Sequence, residues 1–88
     1  MEWTIEYTKE ATKELKSLDK PVRERIRGYV KNLRELSNPR LRGEPLTGNL
    51  SDFWKYRVGD YRLICRIQDN KLLILVVKIG HRREVYKN

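Results

Sequence analysis

Hydrophobic and polar residues change rhythm twice along this chain. At the start Trp3, Ile5 and Tyr7 alternate with Thr4 and Glu6, the twofold spacing of a strand with one buried face. Thr8 is then placed to cap a helix in which Ala11, Leu15 and Leu18 fall on one stripe. Asp19-Lys20-Pro21 restarts the chain, with Asp19 as a cap and Pro21 in a first turn. A second helix follows to about Leu36, with Val22, Ile26, Val30 and Leu33 facing inward. Ser37-Asn38-Pro39 stops it, and Arg40 to Asp52, with Gly43, Pro45 and Gly48, reads as a loop.

Beyond the loop the period returns to two. Phe53 to Val58 is predicted as a strand, Gly59-Asp60 as a tight turn and Tyr61 to Gln68 as a second strand. Asp69-Asn70 is a further turn, and Lys71 to Ile79 a third strand. Strand, helix, helix and three strands make an α+β domain spanning residues 1–88, with a helical hairpin on one face of an antiparallel sheet. Leu72 to Val77 is apolar at both parities, which predicts a strand inside the sheet with the N-terminal strand as its outer neighbour.

With a two-residue turn at Gly59-Asp60, Val58 pairs with Tyr61, and counting outward sets Arg57 opposite Arg62 and Lys55 opposite Ile64. Lys55, Arg57, Arg62 and Ile64 then share one face, while Trp54, Tyr56, Tyr61 and Leu63 share the other and meet the helices. Like charges directly opposite each other cost a sheet stability, on the scale of ~0.2–1 kcal/mol. Two guanidinium groups splayed into water would reduce that cost, so the pairing alone does not define a site.

Charge placement adds weight. Of a net charge of +8, the stretch from Phe53 to Asn88 holds nine cations and three anions, +6, leaving +2 for residues 1–52. Such asymmetry points to a polyanionic partner, nucleic acid first. A second cluster, His81, Arg82, Arg83 and Tyr86, follows Gly80, where a predicted strand end lets the chain bend back and bring Arg82 and Tyr86 beside Arg57 and Arg62. Arginine and lysine offset charge in a phosphoryl transition state, and an aromatic ring stacks on an unpaired base. A proton acceptor would have to come from Lys55, His81 or Tyr86.

Other classes are excluded or disfavoured. A chain of 88 residues has room for one modest core, and 39% hydrophobic residues at regular spacing argue against disorder. One cysteine, Cys65, and one histidine allow neither an internal disulfide nor a zinc site built from those residues, and no cofactor is expected. Cys65 reads as a small buried hydrophobe, and Trp3, Trp54 and Tyr56 as core aromatics. Met1-Glu2-Trp3-Thr4 lacks the basic flank of a signal peptide and Leu72–Val77 is too short to span a bilayer, so a cytoplasmic protein without a membrane partner is expected.

The run "LTGNLSDFWKYRVGDYRLICRI" followed by "LLILVVKIGHRREVY" resembles the RelE/ParE superfamily of type II toxins, specifically its RelE-type mRNA interferase branch. The resemblance implies a ribosome-dependent endoribonuclease that needs no metal and is silenced by a RelB-like antitoxin. It implies partnership with the ribosome and mRNA, and contact with operator DNA only as the toxin–antitoxin complex. The family's catalytic residues would fall on Lys55 as base, Arg57 and Arg62 as phosphate clamp, Arg82 as stabiliser or acid and Tyr86 as orienting or stacking group, with His81 a further acid or base. The ParE-type branch, which poisons DNA gyrase, is the alternative implied by the same fold, and a nucleic-acid-binding module without turnover is the third reading.

Overall fold

The elements read from the sequence reappear in a computed structural model that describes residues 3–46 and 53–81. Strand β1 (Thr4–Tyr7) leads into helices α1 (Lys9–Lys16) and α2 (Lys20–Arg34). A two-residue strand β2 (Glu44–Pro45), then β3 (Phe53–Val58), β4 (Tyr61–Gln68) and β5 (Leu73–His81) complete a five-stranded sheet in the order β1-β5-β4-β3-β2. The last strand therefore lies inside the sheet beside the first, as its two-sided apolar pattern predicts.

The sheet is not wholly antiparallel, because β1 runs parallel to β5, with Tyr7 opposite Val76. Thr8 fixes that direction. Its backbone N–H donates to Val76 O at 3.0 Å and its hydroxyl to Val77 O at 3.2 Å, while the same oxygen accepts from Ala11 N at 3.1 Å as the cap of α1. Glu14, two turns on, accepts the Ile79 N–H at 2.7 Å and lies 3.5 Å from the Lys78 ammonium. The part of β5 that extends beyond β1 is thus edged by α1.

Asp19 takes the capping position of α2 but its carboxylate makes no capping bond. A cap bonds the second or third amide of the helix, and the second residue here is Pro21, which has no N–H. Ile26, Val30 and Leu33 nevertheless turn inward as their spacing requires.

The core lies between the helices and one face of the sheet. Trp3, Ala11, Leu15, Ile26, Val30 and Leu33 meet Tyr56, Leu63, Cys65, Ile67, Ile74, Val76 and Ile79. Burial pushes the Cys65 thiol up to about 12. Native protein at about pH 8, near the ordinary thiol pKa, is therefore expected to resist iodoacetamide, whereas the urea-unfolded chain is alkylated. Rapid labelling of native protein, read by mass spectrometry, would mean that the helices leave this seam.

Two boundaries differ from the sequence reading. Asp69–Lys71 form a single 3-10 turn and Leu72 takes a left-handed backbone (φ 49°, ψ 46°), so β5 starts only at Leu73. At its other end β5 does not stop at Gly80: Gly80 pairs with Arg62 and His81 with Tyr61. A glycine opposite a long cationic side chain leaves space on that face without ending the ladder. The expected loop likewise holds a 3-10 turn, Pro39–Leu41, and β2, whose Glu44 lies opposite Lys55. No helix among the described residues is long and apolar enough to cross a membrane.

Candidate active site

The hairpin β3–β4 carries the site. Gly59 sits at φ 61°, a conformation glycine adopts without strain, and the turn sets the register: Val58 opposite Tyr61, Arg57 opposite Arg62, Tyr56 opposite Leu63 and Lys55 opposite Ile64. Alternation then separates chemistry from core. Tyr56, Val58 and Leu63 are buried under the helices, and Lys55, Arg57 and Arg62 stand on the face the helices leave bare.

Those three cations line one hollow of about 80 Å³ together with Gly43, Glu44 and Tyr56. Arg57 is exposed, while Arg62 is only 8% exposed. A guanidinium set directly opposite a second one across the ladder costs the sheet some stability. An anion in the hollow would offset that cost.

The wall opposite the hairpin is the Asn38–Pro45 segment, which is anchored at several points. The Tyr56 hydroxyl donates to Pro39 O at 2.9 Å, the Trp54 indole N–H donates to Arg42 O, and β2 pairs with β3. Arg40 grips Asp69 with both arms of its guanidinium, each at 2.9 Å, and stands 6.0 Å from the Trp54 ring centre. The hydrogen bond from Arg40 holds the Asp69 carboxyl below its ordinary range.

Gly43, at φ 75°, passes so close to β3 that an added Cβ would run into the Lys55 carbonyl oxygen and the Tyr56 ring. Gly43→Ala is therefore expected to lift β2 off β3 and open the hollow, destabilising the protein by roughly 1–3 kcal/mol. Urea melts measure this. A parental midpoint would show that the segment is not held in place by its close approach.

Glu44 is a site residue the sequence reading missed. Its position opposite Lys55 brings a carboxylate into the hollow wall. One signal was present: a residue before proline is driven to extended backbone, so Glu44-Pro45 was a candidate edge strand.

His81 is not brought to this hollow. Opposite Tyr61 and two residues beyond buried Ile79, it falls on the helix side of the sheet, its ring 5.5 Å from that of Tyr61 at 81°. There it lines a separate space of about 180 Å³ with Glu14, Ser17, Leu18, Tyr61, Ile79 and Gly80. Arg82 and Tyr86 lie outside the described residues. No three His, Cys, Asp or Glu side chains among the described residues gather as a metal cage.

A strand, a helical hairpin and a sheet with a cationic hollow on the face away from the helices define a small basic α+β protein. Residues 5–86 match the family of the ParE toxin of type II toxin-antitoxin system, parDE. The mRNA interferase toxin RelE of Escherichia coli K12 is 30% identical over 90 residues, covering 98% of this chain and 92% of the relative. The toxin RelG of Mycobacterium tuberculosis is 28% identical over 88 residues, covering 99% of each. In the solved structure of the toxin–antitoxin complex RelBE2 from Mycobacterium tuberculosis, one chain superposes with a TM-score of 0.83 at 25% identity over 93% of both chains. This chain belongs to the RelE/ParE superfamily of type II toxin–antitoxin toxins.

Proposed function

We propose that this protein is an endoribonuclease that cuts messenger RNA on the ribosome, without a metal ion, and that a RelB-like antitoxin holds it silent. The observation that carries the reading is the convergence of Lys55, Arg57 and Arg62 on one hollow. The naming of RelE relatives as mRNA interferases supports it, and the presence of an antitoxin in the RelBE2 complex supports the partner.

In this reading the 2′-hydroxyl of a message nucleotide attacks the adjacent phosphorus. The P–O2′ bond forms and the P–O5′ bond breaks, leaving a 2′,3′-cyclic phosphate and a 5′-hydroxyl. Arg57 and Arg62 bind the non-bridging oxygens, whose charge grows in the transition state. The 2′-hydroxyl proton passes to Lys55 or to Glu44, which stands opposite it, and Arg82 returns a proton to O5′. Tyr86 stacks on a base. His81, on the other face beside Tyr61, takes no part in the proton transfers at the hollow. Operator DNA is bound only by the toxin–antitoxin complex, and the protein works in the cytoplasm.

Primer extension on a translated message tests this. Cuts are expected with the parent protein and lost with Arg82→Ala and with Tyr86→Ala while circular dichroism stays unchanged. Undiminished cutting by both variants would remove these residues from the site. Intact messages together with lost supercoiling by purified gyrase would instead establish the ParE-type activity that the family match also encompasses.

A further inference from the structure

The bare face of the sheet continues past the hollow in ordered rungs. Arg57, Arg62 and Gly80 lie side by side across three strands, then Lys55, Ile64 and Lys78, then Phe53, Arg66 and Leu75. Successive rungs are two residues apart along β3 and β4, a step of ~6.6 Å, which is on the scale of one nucleotide of extended backbone, while on β5 the register shift beside Ile64 and Cys65 makes the second step three residues. Phe53 is half-buried, yet it stands on the face opposite Trp54 and Tyr56 and is not among the side chains packed into the core. Arg66 is exposed and makes no ion pair among the described residues, and its cross-strand neighbours Phe53 and Leu75 are both apolar. Among the described residues, neither the core nor a surface charge pair accounts for Phe53 or Arg66. A groove of about 420 Å³ begins at Arg66 and follows the turn to Lys71.

We infer that Phe53 and Arg66 form a nucleotide subsite on the bare sheet face, where single-stranded RNA lays a base on the Phe53 ring and a phosphate on Arg66, ~13 Å along β4 from the phosphate held at Arg62. The inference rests on the ribonuclease reading for the occupant of the hollow and adds the path its strand takes. Charge selects the occupant. Lys55, Arg57, Arg62, Arg66 and Lys71 follow one another from the hollow to the groove, Asp69 in that groove is already bound by Arg40, and Glu44 stands opposite Lys55 on the edge strand. A flat face that alternates cations with an aromatic ring suits a strand of unpaired nucleotides, whose bases need no sequence match to stack.

The test is fluorescence anisotropy with a labelled 2′-O-methyl RNA hexanucleotide, which binds but cannot be cut, across a range of salt. Arg66→Gln is expected to weaken binding and to lower the slope of log K against log salt by about 0.7, one phosphate contact. Phe53→Ala is expected to weaken binding about ten-fold with an unchanged slope, and Phe53→Tyr to restore it. A dinucleotide that fills only the hollow is expected to bind all forms alike.

Parental affinity and slope in both loss variants would overturn the subsite, as would loss of antitoxin binding with RNA binding untouched, which would make this face a protein-docking surface. The subsite and the nuclease reading can fail separately. RNA binding of the expected form with translated messages left whole would remove the nuclease and keep the subsite. Message cutting with both variants binding like the parent would do the reverse.

Discussion

Arg62→Met is expected to slow message cleavage by about 10²–10³-fold while the protein folds as before. The aliphatic stem of Arg62 is buried beside Gly80, and methionine keeps much of that packing. What is lost is the charge that would meet the phosphate. Because Arg62 faces Arg57 across the hairpin, removing one of the two relieves a repulsion that offsets the contacts the guanidinium gives up, so thermal stability should change little. Single-turnover cleavage on translating ribosomes, paired with a thermal melt, reads both quantities. Cleavage within threefold of the parent would mean that the hollow is not where phosphate binds. An equal fall in rate and melting temperature would assign Arg62 to the fold instead.

The largest expected loss of stability follows Tyr56→Ala. Tyr56 is 1% exposed, its ring meets Tyr29 edge-on at 5.9 Å between centres, and its hydroxyl donates to Pro39 O. Truncating a buried aromatic costs about 3–5 kcal/mol, a large share of the ~5–15 kcal/mol that holds a small domain together. Tyr56→Phe separates the contributions. It keeps the ring but leaves the Pro39 carbonyl without the hydroxyl, at a cost of about 1–2 kcal/mol. Urea midpoints of the three proteins provide the comparison. Were phenylalanine as harmful as alanine, the hydroxyl and the segment it anchors would outweigh the ring. Since Tyr56 lies between Lys55 and Arg57, the alanine variant should also lose cleavage.

The hairpin register was legible because three independent features agreed: a Gly-Asp turn, apolar residues at one parity on both sides of it, and cations at the other parity only. The helices were legible for a similar reason, with Thr8 and Pro21 marking their starts and apolar stripes their inner faces. Gly80 misled because a glycine after an apolar run reads as a break, whereas here it is a strand position kept empty opposite Arg62. With the strand continued, parity alone would have put His81 on the helix side with Ile79. Glu44 was hidden in a stretch whose two-residue strand is too short to show a period. Its pairing depends on Gly43, Trp54 and Tyr56, contacts that no local pattern reveals. Cys65 was read correctly because a lone thiol at a core parity has no base beside it in the sequence.

The order of strands carries a consequence for biosynthesis. An interior strand of the sheet, β5, is the last of the described strands to be made, and its neighbour β1 is the first. Until Ile74, Val76 and Ile79 emerge, Trp3, Ala11 and Leu15 have no partner surface to cover. A growing polypeptide can form the β3–β4 hairpin early, but the sheet closes only when β5 pairs with both β4 and the distant β1, so the slowest contact to form is the one that joins the two ends of the described fold.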